Sequence, residues 1–244
     1  MGMIDLHNHL LPGIDDGAED VGTSIELARI AVKDGITHLV CTPHIHTGRY
    51  DNTQQTIQAA FEQFQQALQA ENIALKVAWA AEVRFGLELM EWAGMGTLPF
   101  LGEWQGKKVL LLEFPHNEVP FGAEKLTSWL IGRNILPMIA HPERNKGIMK
   151  SRSKLKPFLN QGCLLQVTAA SVAGHFGETA REVALELLQE DKVTILATDA
   201  HNTRHRPPQL KEGVRAAAAV TGEKKAAELV TLNPWTLAQV HFSS

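Results

Sequence analysis

The sequence predicts an α/β chain folded as a barrel of parallel strands wrapped by helices, and three observations predict it. Seven apolar runs of strand length alternate with longer segments of helical period, the pattern that parallel strands with helical crossovers produce. Residue types that bind metals follow six of those seven runs. That is expected where every strand sends its C-terminal end to one mouth, whereas a doubly wound open sheet, the rival arrangement, gathers its site mainly at one switch point. No glycine-rich phosphate loop of the nucleotide-binding kind follows the first strand. With 244 residues, one barrel domain over 1–244 accounts for the chain without repeats or linkers.

Strands are expected at 3–6, 36–41, 75–81, 108–113, 135–140, 163–168 and 193–198. Helices are expected at about 20–34, 53–71, 122–133, 151–161, 176–191, 208–220 and 222–232. Asp20 or Thr23 can cap the first helix, and Gly35 ends it in the position glycine favours. The second, opening at Thr53, carries Ile57, Phe61, Phe64 and Leu68 at three- and four-residue steps, a stripe that faces a core. Gly35-Ile36, Asn72-Ile73, Asn134-Ile135 and Gly162-Cys163 mark the turns from helix back to strand.

Composition narrows the functional classes. Hydrophobic residues make up 44% of the chain, enough for a sizeable core, and a net charge of −4 without a basic block argues against nucleic acid or a membrane surface as partner. No run approaches the ~18 apolar residues of a membrane span, and no secretory leader is recognisable, so a soluble cytoplasmic protein is expected. Cys41 and Cys163 lie inside apolar runs and read as buried reduced thiols. Neither has an arginine six residues on, so a cysteine-based phosphatase loop is missing.

The chemistry is carried by the strand ends. His7 and His9 close the first run, and a strand's period of two would put both imidazoles on one face. Alone, that pair is indistinguishable from two core or surface histidines. Asp15-Asp16-Gly17 is a turn that either presents a carboxylate back to the strand end or simply caps a helix. His44 follows Thr42-Pro43, where proline stops the second strand, and Glu82 and Glu113 are each the first charge after an apolar run. A buried carboxylate costs several kcal/mol without a partner, so these either meet cations or lie at the surface. His141 opens His141-Pro142-Glu143-Arg144, and Asp199-Ala200-His201 closes the last strand with the alternation of the first. Arg144 and Arg206 are phosphate-binding candidates, or else a bridge between surface carboxylates and a rim residue. His46, Arg49 and Tyr50 belong either to the cavity entrance or to a solvated loop, while His38, His116, His175, His205 and His241 read as core-polar, loop or surface residues.

Ile4-Asp5-Leu6-His7-Asn8-His9, Asp15-Asp16-Gly17, Thr42-Pro43-His44, His141-Pro142-Glu143-Arg144 and Asp199-Ala200-His201-Asn202 together resemble the PHP (polymerase and histidinol phosphatase) superfamily. The Asp-Asp-Gly turn, His-Pro-Glu-Arg and Arg206-Pro207-Pro208 bring the chain closer to the bacterial PHP-type protein-tyrosine phosphatases of capsular and exopolysaccharide loci. The resemblance runs from residue 3 to about 208. It implies a distorted seven-stranded TIM-like barrel holding three divalent metal ions, usually manganese, with iron or zinc equally compatible with nitrogen and oxygen ligands. By this resemblance His7, His9, Glu82 and Asp199 surround one ion; Glu82 bridges to a second, completed by Glu113 and His141; Asp16, His44 and His201 hold the third. Arg144 and Arg206 match the family's phosphate-binding arginines. Met1-Gly2 precedes the family's usual start and is expected to be a cloning remnant, and Ile45-His46 is a point of departure from its common loop.

Three divalent ions outweigh the charges of Asp16, Glu82, Glu113 and Asp199, so a phosphate dianion suits the loaded site although the chain as a whole is acidic. The expected reaction is direct hydrolysis by a water that the ions acidify toward a pKa of ~7, with arginines stabilising the phosphoryl oxygens and His201 or a bound water protonating the leaving group. The leading expectation is a metal-dependent protein-tyrosine phosphatase acting on a bacterial tyrosine kinase that controls polysaccharide export. A small-molecule phosphatase of the histidinol phosphate kind, a phosphodiesterase, and a metal-loaded regulatory protein without turnover stay open beside it.

Overall fold

In the computed structural model residues 2–243 are described, so Met1 lies outside them. All seven expected strands form, two of them in two pieces. They are β1 Met3–Asp5, β2 Ile36–Cys41 continued as β3 His44–Ile45, and β4 Lys76–Trp79 continued as β5 Glu82–Arg84. A short β6, Gly102–Trp104, precedes β7 Lys107–Glu113, β8 Ile135–Ala140, β9 Leu164–Thr168 and β10 Ile195–Ala197. Pro43 lacks an N–H, which accounts for the break between β2 and β3.

Pairing is parallel in the order β1-β2-β4 and β3-β5-β7-β8-β9-β10, so the seven strands lie side by side in chain order. The two outermost strands also meet. Asn8 and Ala200 form a parallel bridge, the Asp199 N–H donates to the His7 carbonyl at 2.7 Å, and the His9 N–H donates to the Ala200 carbonyl at 2.8 Å. The result is a distorted barrel, not an open sheet. β6, which the sequence did not announce, pairs antiparallel with β7 across the turn Gln105-Gly106, where both residues have positive φ.

The helices largely follow expectation. Val21–Lys33 is capped by Asp20, whose carboxylate accepts the Thr23 N–H at 2.7 Å; Gln54–Ala70 opens on a reciprocal capping box between Thr53 and Thr56 and buries Ile57, Phe61, Phe64 and Leu68. The four helix-to-strand turns all use left-handed backbone, at Gly35 (φ 87°), Asn72 (53°), Asn134 (63°) and Gly162 (81°). Two expected helices differ. The 151–161 segment splits into a 3-10 turn, Arg152–Leu155, and a short helix, Lys156–Asn160, with Pro157 at its start. The 222–232 segment becomes Glu223–Glu228 followed by Leu232–Ala238. Helix Glu88–Met95 was not foreseen. Among the described residues no helix is long and apolar enough to cross a membrane.

Two apolar layers position the site. One, including Leu39, Ile57, Phe64, Leu110, Leu112, Leu165 and Val167, fills the space between strands and helices. The other fills the barrel interior with Ile4, Leu6, Val40, Ala78, Ala80, Val109, Leu111, Leu136, Met138 and Ile195, joined from below by Leu237 and Ala238. Cys41 and Cys163 are buried and free, as their apolar runs imply.

Candidate active site

The interior rows end in chemistry. Reading alternate positions toward the barrel mouth gives Val40-Thr42-His44, Ala78-Ala80-Glu82, Val109-Leu111-Glu113 and Ile195-Ala197-Asp199, so each row passes from apolar filling to a potential ligand. β1 stops at Asp5, short of the expected residue 6, and His7 and His9 stand in the extended segment that the Asn8–Ala200 bridge holds. They still converge. Their Nε2 atoms lie 3.2 and 3.4 Å from Glu82 Oε2 and 3.5 Å each from Asp199 Oδ1. Across the same carboxylate, His141 Nε2 is 2.8 Å from Glu82 Oε1 and His44 Nδ1 is 3.0 Å from Oε2. Asp16 Oδ1 sits 3.4 Å from His44 Nε2 and 3.6 Å from His201 Nε2.

Donor atoms cluster within 4.8 Å of one another in four overlapping groups: His7, His9 and Glu82; His7, His141 and Asp199; His44, Glu82 and Glu113; and His9, Asp16, His44 and His201. All nine residues singled out from the sequence are thus brought together. His7 Nε2, His9 Nε2 and Glu82 Oε2 are buried without hydrogen-bond partners. Orphaned nitrogen and oxygen donors facing one another, with no thiolate among them, fit divalent cations.

Two residues that were not singled out set the imidazoles. Asp15 Oδ2 accepts His9 Nδ1–H at 2.7 Å and the His44 N–H at 3.0 Å, and Gln166 Oε1 accepts His7 Nδ1–H at 2.8 Å and the His141 N–H at 3.1 Å. Each bond makes Nδ1 the donor and turns Nε2 toward the cluster, where it can ligate a cation once its own proton is displaced. Gly17 completes the Asp15-Asp16 turn because a Cβ there would sit 2.0 Å from the His9 carbonyl oxygen. His141 (φ 31°) and Asp199 (φ 51°) adopt left-handed backbone, which costs on the order of 1–3 kcal/mol at a non-glycine residue.

The electrostatics follow from burial and crowding. Burial would raise Glu82, but the charges of His7 and His44 and the hydrogen bond from His141 outweigh it and hold the carboxyl well below its usual range. Burial likewise opposes ionisation of Asp199, and Arg206, His7 and Arg144 reverse the effect. Burial, aided by the charge of His9, pushes His201 down to about 3, which keeps it neutral, the form that ligates a cation.

Above this cluster lies a cavity of about 210 Å³. Arg144 Nη1 and Arg206 Nη2 both bind the buried Asp199 Oδ2, the latter at 2.5 Å, so Arg144 is not a bridge between surface carboxylates and Arg206 is tied into the site. His46, Arg49 and Tyr50 line the cavity and are not a detached loop; the Tyr50 ring stacks on His44 with centroids 5.4 Å apart and planes 8° from parallel. Arg84 and His116 also line it, Arg84 pairing with Glu113 Oε2 at 2.9 Å. Nothing local in Glu82-Val83-Arg84 announces that pairing, since Glu113 is far away in sequence.

A parallel barrel with imidazoles and carboxylates packed at its mouth is the architecture of metal-dependent hydrolases. Residues 3–239 match the family described as capsular polysaccharide synthesis, CpsB/CapC. The tyrosine-protein phosphatase YwqE of Bacillus subtilis is 38% identical over 204 residues, covering 84% of this chain and 79% of YwqE. The tyrosine-protein phosphatase CpsB of Streptococcus pneumoniae is 27% identical over 237 residues, covering 95% and 96%. The chain belongs to the CpsB/CapC family. A crystal structure from work on YwqE and CpsB, described as unique metal-dependent tyrosine phosphatases, superposes with a TM-score of 0.90 at 34% identity over 97% of this chain and 94% of that one. A histidinol phosphate phosphatase from Lactococcus lactis shares the fold alone, with a TM-score of 0.57 at 12% identity over 92% and 94%.

Proposed function

We propose that this protein is a cytoplasmic, metal-dependent protein-tyrosine phosphatase acting, as one domain over residues 1–244, on a bacterial tyrosine kinase that controls polysaccharide synthesis. The observation that carries the reading is the stacking of two layers on Asp199: its Oδ1 faces His7 and His9, while its Oδ2 holds Arg144 and Arg206. His7, His9, Glu82 and Asp199 would hold one divalent ion, Glu82, Glu113 and His141 a second, and Asp16, His44 and His201 a third, with manganese as the expected metal and iron or zinc as alternatives. Such ions, when bound, acidify water and polarise the phosphoryl oxygens.

The chain's own residues supply the remainder. Each guanidinium has five N–H donors, so Arg144 and Arg206 keep donors for a phosphate after binding Asp199. Asp15 and Gln166 hold His9 and His7 in the ligating tautomer. The stacked Tyr50 and His44 give the entrance an apolar wall suited to an aromatic ring. A phenolate leaves readily, so the demand on a proton donor is small.

Purified protein with manganese should hydrolyse p-nitrophenyl phosphate, and a chelator should abolish turnover and lower the melting temperature until metal is restored. A folded, metal-loaded protein without turnover would point to the regulatory reading. Phosphotyrosine peptide should be preferred to histidinol phosphate; the reverse preference would overturn the assignment of substrate.

A further inference from the structure

Phe176 occupies a tight turn between the helices Ala169–Val172 and Glu178–Gln189, bounded by Gly174 (φ 95°) and Gly177 (φ 89°). The turn is anchored from both sides. The His175 N–H donates to the Ala170 carbonyl at 2.9 Å, the Gly177 N–H to the Gly174 carbonyl at 3.2 Å, and the His175 ring pairs with Glu212 at 2.9 Å. The backbone that carries Phe176 is therefore held in this turn. The Arg144 guanidinium carbon lies 4.2 Å from the ring centroid and that of Arg206 lies 5.9 Å away.

Two guanidiniums on one carboxylate oxygen repel each other, and Asp199 alone leaves both free to pivot about that oxygen. An aromatic face attracts a planar cation within about 6 Å of its centroid and fixes the guanidinium against the ring. We infer that Phe176 is the positioning residue for the arginine pair: one ring bears on both guanidiniums, limits their rotation about Asp199, and keeps their remaining N–H donors turned to the cavity for a phosphate. The inference rests on the reading of Arg144 and Arg206 as phosphate ligands.

Phe176→Leu keeps apolar bulk and removes the π face, whereas Phe176→Tyr keeps the face. Against p-nitrophenyl phosphate with manganese, Phe176→Leu should raise KM and the inhibition constant of inorganic phosphate together, by roughly five- to thirtyfold, as expected for the loss of such contacts. kcat should move less, metal content should stay at the wild-type level, and Phe176→Tyr should restore both constants. In an Arg206→Ala background the Leu substitution should cost less than in the wild type, because the partners share one effect. Wild-type constants in Phe176→Leu would overturn the inference. So would a Tyr variant as impaired as Leu, or a Leu variant that loses metal and melting temperature along with phosphate, since these indicate packing alone. If the wild type itself fails to turn over, the phosphatase reading falls; inorganic phosphate titrated calorimetrically into wild type and Phe176→Leu then still decides the role of the ring.

Discussion

His44, Glu82, Glu113 and Asp199 at the bottom of the cavity continue interior strand rows, whereas the arginines above them come from a 3-10 turn and a loop, and the two regions are held by different means. In the lower region Glu82, Glu113 and Asp199 continue apolar rows, so strand register places them, and one-residue slips would send them to the other face. In the upper region Arg144 follows a left-handed His141, and Arg206 ends a loop folded about Asn202. Those positions depend on side-chain contacts, not on register. Asp199 is the joint, with one oxygen for each region. A ligand cluster and a recognition surface thus share a residue while answering to separate constraints, and substitutions should separate them.

The largest effect is expected where the lower region is densest. Glu82 meets His7, His9, His44 and His141 within 3.4 Å, and Glu82→Gln keeps its volume while removing the charge. Turnover should fall on the order of a thousandfold or more, with metal lost from the protein, because a neutral amide cannot balance clustered cations. Metal per chain and the turnover of phosphotyrosine peptide measure this. A Gln variant with full metal occupancy would show that Glu82 is not the centre of the cluster.

A sharper contrast sets Asp15→Asn against Arg206→Ala. Asp15 touches no group above the cluster but orients His9 and the His44 backbone, so its amide should weaken metal affinity roughly ten- to hundredfold, and added manganese should restore turnover. Arg206→Ala should keep its metal and raise KM roughly ten- to hundredfold, the loss expected for charged hydrogen bonds, with no rescue by manganese. Equal metal loss in both variants would erase the distinction between the regions.

That distinction also explains what the sequence made legible. Register-borne residues announce themselves, because a charge or imidazole that ends an apolar run of period two has only the mouth of a barrel to occupy; His44, Glu82, Glu113 and Asp199 are of this kind. Gln166 carried a weaker signal, as the one amide within the buried run Leu164–Thr168, and its bonds to His7 and His141 join positions 159 and 25 residues away. Asp15 and Asp16 are neighbours of identical type, and only the fold assigns the first to His9 and the second to His44 and His201. Arg84 and Phe176 had no local signal, since each acts on residues distant in sequence. β6 escaped because a three-residue strand with a Gln105-Gly106 turn lacks the length and the Asn-Gly chemistry that mark hairpins.

The smallest predicted effect tests how loops hold the upper region. Asn202 Oδ1 accepts the N–H groups of Arg204 (3.2 Å), His205 (2.7 Å) and Arg206 (3.2 Å), and the Arg206 carbonyl closes the loop by accepting from His201 at 2.9 Å and Asn202 at 3.2 Å. Asn202→Ala removes the shared acceptor but leaves Arg206 on Asp199, so the guanidinium should be retained and less well aimed. Two of the three freed N–H groups belong to exposed residues and can turn to water, which keeps the cost low. KM should therefore rise only about three- to tenfold, with metal content unchanged and the melting temperature nearly so. Asn202→Asp retains an acceptor for the same three groups and should behave more like the wild type at high ionic strength, where its added charge is screened from the incoming phosphate. An Ala variant as impaired as Arg206→Ala would mean that this one side chain fixes Arg206. An Ala variant that loses metal would tie the loop to the lower region and dissolve the boundary drawn at Asp199.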